Sequence, residues 1–276
     1  MFQTSPLADL RTYAVYFPGP HLAMVIDAAI VGNTDAEFWL LPQMADDPAL
    51  LLWDQGNEVF YLAGNLNTDT AQPALTRLFA EEIRPRALAR GANYCKVQLL
   101  SDAPDIALHV IFPWGDLSTS DSCFYRFEAA LPSIVPQPAV EGIQFVPIGR
   151  MLLVNDRLEN SQHIRNEVAW MWPSLAHYER NGFGVAAVVG NEAICWCTAE
   201  YVGPTSCGIG IATIPSYEGK GIATATAARF VQLCQQRGIT PHWECDQRNI
   251  ASVRVAEKVG FTKIANERYW SGTLTS

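Results

Sequence analysis

The chain has 276 residues, of which 49% are hydrophobic and 17% charged, a composition that supports a buried core and excludes an intrinsically disordered chain. The 19 basic and 28 acidic residues give a formal net charge of −9, which disfavours a general binder of nucleic acid or of anionic membranes. The longest apolar run, residues 21–32, is too short to span a bilayer. We find no signal-peptide pattern and no C-x-x-C pair among the seven cysteines, so we expect a cytoplasmic protein with reduced thiols and no metal site.

A proline-rich segment, residues 131–140, is typical of an extended linker because it holds three prolines in seven residues. We therefore expect two domains, 1–138 and 139–276, and an α/β (α+β) fold overall. The charge divides unevenly between the halves. Residues 1–140 carry 7 basic and 16 acidic side chains, whereas residues 141–276 carry 12 of each.

The N-terminal half reads as a smaller mixed α/β domain. Strands are predicted at 49–53 and 59–63 around a turn, and a helix is predicted from Pro73 until Pro85 breaks or kinks it. Further strands are predicted at 94–100, 107–112 and 123–127. No residues in this half have catalytic spacing.

The C-terminal half alternates strands and helices. Helical spacing of Ile164, Val168 and Trp172 is followed by predicted strands at 185–189, 193–201 and 208–214. Helices are predicted at 221–237 and 250–259, each closed by a glycine, with strands at 242–245 and 263–270.

The loop 215–224 joins a predicted strand to a predicted helix and contains Gly219 and Gly221. Glycines allow a tight turn, and the helix N-terminus presents free amides and positive dipole, so the pattern suits a phosphate group. A steric reason for the glycines is an alternative. A second alternative is a nicotinamide-binding turn, in which Glu244 would bind the ribose of the cofactor. Two features oppose this alternative: Thr224 stands where that motif has its third glycine, and the glycine turn does not follow the preceding strand directly.

The segment 249–261 reads N-x-x-S…E-K-x-G-F, and its spacing from this loop resembles the GCN5-related N-acetyltransferase (GNAT) family. The family loop reads Gln/Arg-x-x-Gly-x-Gly/Ala. Gly221 and Ala223 match it, and Glu218 stands where Gln or Arg is usual. The resemblance covers residues 141–276 and looks closest to a two-domain branch that includes zwittermicin-resistance-type acetyltransferases.

The resemblance implies a mixed, splayed central sheet that holds acetyl-CoA between the strands 208–214 and 242–245. The diphosphate would take loop amides, and the pantetheine arm would pair with the edge of the first strand as an added strand does. The residues that the resemblance places at the cofactor are Ile211, Ala212, Thr213, Glu218, Gly219, Lys220, Gly221, Ile222, Ala223, Thr224, Glu244, Asn249 and Ser252. Asn249 is also well suited to cap the following helix.

The implied reaction is direct attack of a primary amine of a small molecule on the thioester, which needs a base for the ammonium and an acid for the thiolate. Many relatives carry the acid as a tyrosine in the last helix, where this chain has Ala256. The candidates here are Ser252 as the acid and Glu200 or Glu267 as the base.

The leading interpretation is an N-acetyltransferase that uses acetyl-CoA. The alternative is a non-catalytic acyl-CoA-binding regulatory module, which the missing tyrosine and Glu218 favour. All of the net charge lies in residues 1–140. Either the acidic domain faces the acceptor and concentrates cationic amines, or its charge serves only to keep this half of the chain soluble.

Overall fold

The computed structural model describes residues 3–41, 48–100, 108, 117–128 and 137–275. Contacts divide the chain into two compact units. The first unit consists of Met1–Ile26, Asp35–Asp121 and Arg268–Ser276, and the second of Asp27–Thr34 and Ser122–Glu267.

This division differs from the single boundary expected near residue 138. The chain's last residues belong to the first unit, and residues 27–34 and 122–138 belong to the second. The reason is strand pairing between distant segments, which no local composition shift announces.

The first unit contains a sheet with the strand order β1-β2-β3-β4, followed by the C-terminal residues of β11. Its strands are β1 (Ala36–Leu41), β2 (Ala49–Asp54), β3 (Val59–Gly64) and β4 (Tyr94–Leu99), with β11 spanning Phe261–Thr273. The pairings are antiparallel except for β3 with β4, which is parallel. A parallel pair needs a crossover connection, and the helical segment between β3 and β4 supplies it.

That helical segment continues through Pro85, which was expected to break or kink it. It consists of α2 (Ala71–Leu78), a π-helical turn (Phe79–Ile83) and α3 (Arg84–Ala89). The N–H of Arg84 donates to the carbonyl five residues back, which widens the helix just before Pro85. Pro85 then lies in the first turn of α3, where a missing N–H costs little.

The second unit contains a sheet with the strand order β5-β10-β9-β8-β7-β6. Its strands are β5 (Ser118–Phe127, from residue 122), β6 (Ile143–Pro147), β7 (Gly184–Val189), β8 (Glu192–Glu200), β9 (Ser206–Thr213) and β10 (Thr240–Asp246). Its helices are α4 (Arg150–Leu153), α5 (Ser161–Met171), α6 (Leu175–Asn181), α7 (Ile222–Gln236) and α8 (Ile250–Val259). Helix α1 (Pro20–Ile30), like β5 and β11, contributes residues to both units.

Two neighbouring strands of the second unit separate after a short contact. Strands β9 and β10 are parallel, and in the described chain their pairing is confined to Ser206 with Thr240 and Cys207 with Pro241. Beyond these pairs, β9 remains bonded to β8, and β10 to β5. The splayed mixed sheet predicted for 139–276 is therefore confirmed, with the gap between the two strands that were predicted to diverge.

Most of the predicted strands and helices are present, within a few residues of their expected ends. The sequence analysis missed β1, β6 and α1, which occupies the longest apolar run. Of the predicted strand 107–112, all but Leu108 lies outside the described residues, as does the linker segment 131–136. None of the described helices is long and apolar enough to cross a membrane.

Candidate active site

The loop between β9 and α7 turns through two glycines in the left-handed region. Gly219 has φ +72° and Gly221, the residue before α7, has φ +77°. A Cβ at either glycine would meet no heavy atom of the described residues within 4 Å, so the backbone angle rather than crowding requires glycine here. The loop thus faces open space with the free first-turn amides of α7 beside it.

This loop borders a cleft of about 700 Å³, within the size range of small-molecule sites. Eleven of the residues predicted to contact the cofactor line it. They are Ile211, Ala212, Thr213, Glu218, Gly219, Gly221, Ile222, Ala223, Thr224, Asn249 and Ser252. The cleft is also lined by residues that the sequence analysis did not name, namely Tyr217, Trp243, Ala251, Arg254, Val255 and Lys258.

The edge of β9 supplies backbone groups to the cleft. The N–H of Ile214 donates to the carbonyl of Ile194, so the even-numbered residues of β9 bond toward β8. By the alternation of an antiparallel ladder, the N–H and C=O of Ile211 and Thr213 then point into the gap. An extended ligand with amide groups can pair with this edge.

The opposite wall of the cleft is formed by one side of α8. The side chain of Asn249 accepts the N–H of Ser252 at 3.1 Å, so its capping role is confirmed. Arg254 and Lys258 follow at i and i+4 on the cleft side of the helix and bring two positive charges to the site. Arg254 and Lys258 follow Ala251 by about one and two helical turns. This helical spacing is the sequence signal that could have placed both residues on the cleft side of α8.

The hydroxyl of Ser252 has a defined neighbour on β10. The indole Nε1 of Trp243 donates to Ser252 Oγ at 3.0 Å, which occupies one acceptor position and orients the hydroxyl. Burial raises the pKa of the nearby Cys245 thiol, while a hydrogen bond with Ser252 lowers it. The serine is therefore held at the cleft by its neighbours as well as by its place in the first turn.

Two residues expected at the cofactor are not among the residues that line the cleft. The Nζ of Lys220 donates to the carbonyl of Ser216 at 2.8 Å and lies 4.9 Å from the ring centroid of Tyr217, and Lys220 is not itself among the residues that line the cleft. Glu244 alternates with Trp243 along β10, so its side chain points to the other face of the sheet. The predicted contacts of these two residues with the cofactor stay predictions.

The candidate bases Glu200 and Glu267 also lie outside the cleft lining. Glu267 is half-buried on β11, and Glu200 ends β8 with its carboxylate beside Gly210 of β9. Glu167 of α5, which the sequence analysis missed, lies at the same place. It accepts from Trp196 Nε1 at 2.7 Å and from Thr198 Oγ1 at 2.5 Å.

Neither a cysteine nucleophile nor a nicotinamide-binding turn agrees with this geometry. Burial raises the pKa values of the Cys195 and Cys197 thiols, so neither is an activated nucleophile. A nicotinamide-binding sheet is parallel on both sides of the glycine turn, whereas β9 is antiparallel to β8 and leaves β10 after two residue pairs.

Comparison with known proteins gives matches over the same region. The model of the GNAT acetyltransferase family matches residues 131–269. An uncharacterized N-acetyltransferase of Bacillus subtilis strain 168, YdfB, is 35% identical over 102 residues, which span 37% of this chain and 39% of that protein.

Solved structures agree in fold over nearly the whole chain. A GCN5-related N-acetyltransferase-like protein from Streptococcus suis has a TM-score of 0.65 at 15% identity, with 97% of this chain and 100% of that chain covered. A GCN5-related N-acetyltransferase from Sphaerobacter thermophilus has a TM-score of 0.62 at 15% identity, with 100% of this chain and 96% of that chain covered. A tandem GNAT protein from the clavulanic acid biosynthesis pathway has a TM-score of 0.56 at 10% identity, with 100% of this chain and 99% of that chain covered.

Proposed function

Because the chain belongs to the GNAT acetyltransferase family, we propose that it transfers an acetyl group from acetyl-CoA to a primary amine of a small, positively charged molecule. The observation that carries this proposal is the cleft where β9 and β10 separate. The glycine loop before α7, the free edge of β9 and the basic side of α8 all line this cleft. The narrower relation to the two-domain, zwittermicin-resistance-type branch remains a prediction from the sequence.

The residues at the cleft fit acetyl-CoA along its length. The first-turn amides of α7 after Gly221 suit the diphosphate. Arg254 and Lys258 on α8 suit phosphate oxygens and offset the exposed carboxylate of Glu218 on the loop. The outward groups of β9 near Ile211 suit the amides of the pantetheine arm, as an added strand would.

Acetyl-CoA supplies an activated acyl group whose leaving thiol ionises near pKa 8.5, so little acid assistance is needed. Within the chain, the N–H groups at the β9 edge near Ile211 and Thr213 are placed to donate to an oxyanion in the splay. Ser252, oriented by Trp243, is the hydroxyl placed to return a proton to the thiolate. We propose it as the acid in place of the tyrosine that Ala256 replaces.

A non-catalytic acyl-CoA-binding module is the second candidate. One observation favours it: Ala256 is fully buried, so the usual tyrosine position presents no proton donor to the cleft. A module of this kind would bind CoA with the same residues and transfer nothing.

Calorimetry with CoA, combined with mass spectrometry of amines incubated with the protein and acetyl-CoA, separates these functions. Binding of CoA with acetylated amine products supports the transferase. Binding without transfer to any of a panel of cationic, neutral and anionic amines favours the module, and absence of binding contradicts the assignment of the cleft.

A further inference from the structure

The side chain of Tyr217 stands where the chain passes from β9 into the glycine loop (residues 218–221). Tyr217 is the last residue of a short 3₁₀ turn, Pro215–Tyr217, that follows β9. Its ring lines the cleft and also packs against a buried cluster that includes Ile222, the first residue of α7. Because Tyr217 directly precedes the glycine loop, the place of its ring fixes where that loop begins.

The hydroxyl of Tyr217 is held by a residue that lies 25 positions earlier in the chain. Its Oη donates to Oε2 of Glu192, the first residue of β8, at 2.9 Å. Donation to this carboxylate raises the pKa of Tyr217, so the hydroxyl keeps its proton at neutral pH. A hydrogen bond to an ionised acceptor is stronger than one between neutral groups, and this bond therefore ties the glycine loop firmly to the start of β8.

The other oxygen of Glu192 is held from the start of α5. Nδ2 of Asn160, the residue before α5, donates to Glu192 Oε1 at 3.1 Å and to the carbonyl of Ala193 at 3.1 Å. The N–H of Ala193 in turn donates to the carbonyl of Glu159 at 3.0 Å. Each carboxylate oxygen thus has its own donor, and the carboxylate is fixed in the orientation that meets Tyr217.

The charge of Glu192 does not favour an anionic cofactor, so its place here needs another reason. Glu218 already brings one carboxylate to the cleft, and Glu192 brings a second one to the far end of the Tyr217 ring. Both repel a diphosphate. A fixed loop offers a compensating gain, because a loop that is already in its bound conformation loses less conformational entropy when the ligand arrives.

We propose that Tyr217 and Glu192 are positioning residues for acetyl-CoA, and that their hydrogen bond holds the glycine loop in the conformation that receives the diphosphate. The inference rests on the proposed function and adds to it a residue, Glu192, that does not line the cleft. Because the pair acts on the glycine loop, ligands with a diphosphate should depend on it. Pantetheine, which would pair with the edge of β9, should not.

Calorimetry on the full chain tests the hydroxyl of Tyr217. Tyr217→Phe keeps the ring and removes only the donor, so it should weaken the binding of CoA and of dephospho-CoA about tenfold. The affinity for pantetheine, measured by competition with CoA, should not change. Tyr94→Phe, at an exposed tyrosine of β4, is the matched control and should change none of the three affinities. Wild-type affinity for CoA in Tyr217→Phe, or an equal loss for all three ligands, overturns the proposal.

Substitutions of Glu192 separate its positioning role from its charge. Loss of a carboxylate near a diphosphate would by electrostatics alone strengthen the binding of CoA, whereas we expect Glu192→Ala to weaken it about tenfold. Glu192→Gln can still bond to Tyr217 through its amide, so its affinity should lie between those of the wild type and Glu192→Ala. The double variant Tyr217→Phe/Glu192→Ala should bind CoA no more weakly than Glu192→Ala, because both substitutions remove the same bond.

Two results with the Glu192 variants would contradict the proposal. They are tighter binding of CoA by Glu192→Ala, and losses of affinity that add up in the double variant. Either result leaves the proposed function intact as long as the wild type binds CoA. A wild type that does not bind CoA contradicts the proposed function itself, and the role of this pair with it.

Discussion

Replacing Gly221 by aspartate tests the phosphate cradle directly, because it adds one negative charge where the diphosphate of acetyl-CoA is proposed to bind. The position tolerates a side chain sterically, since no heavy atom of the described residues lies within 4 Å of a Cβ there. The φ of +77° costs a non-glycine residue about 1 kcal/mol, and least for Asp and Asn. We therefore expect the variant to fold.

The electrostatic repulsion that the aspartate adds is larger than the cost of its backbone conformation. A carboxylate about 5 Å from a phosphate charge at an effective dielectric of about 20 is repelled by about 3 kcal/mol. This corresponds to a loss of CoA affinity of more than a hundredfold. Gly221→Asn is the matched control, because it carries the same backbone strain and almost the same volume without the charge.

The measurement is calorimetric titration of CoA into the wild type and both variants, with circular dichroism to verify folding. We expect the aspartate variant to bind at least a hundredfold more weakly than the asparagine variant, with a difference that shrinks as salt is added. Equal affinities in the two variants would refute the placement of the diphosphate at this loop.

Three further predictions concern the cleft and the sheet. Ser252→Ala should lower kcat only about tenfold, because a thiolate leaving group needs little acid assistance, with little change in KM for acetyl-CoA. An unchanged kcat in steady-state assays would leave Ser252 as a structural residue of α8. Arg254→Ala and Lys258→Ala should each weaken the binding of CoA about tenfold. The binding of dephospho-CoA should weaken less wherever the wild-type side chain contacts the 3′-phosphate, and calorimetry with both ligands decides this. Gly184→Ala places a Cβ 2.5 Å from the carbonyl oxygen of Cys197, so chemical denaturation should show a loss of about 1–3 kcal/mol.

Local sequence signals were sufficient where a structure depends on neighbouring residues. The loop with Gly219 and Gly221, the cap at Asn249 and the helix that follows each require particular residue types at short spacing. Together with the family resemblance that rests on them, these signals led to eleven of the residues that line the cleft. They did not predict the π-helical turn that accommodates Pro85, because helix propensity does not encode such a turn.

The alternation of strands decided which predicted residues reach the cleft. Glu244 lies within the predicted strand, yet its side chain points away because Trp243 beside it faces the cleft. The face assigned to each residue depends on what packs against the sheet, and that packing involves helices far along the chain.

The sequence by itself determined the family, the glycine loop between β9 and α7 and most of the residues that line the cleft, because each of these depends on contacts within a few residues or on a motif. Only the tertiary structure brought Glu167 of α5 next to Glu200 of β8 above Gly210 of β9. It also placed the last residues of β11 with the first unit. Both arrangements arise from strand pairing and helix packing over long separations in the chain, where many pairings are compatible with the same local pattern and the burial of the whole core selects one.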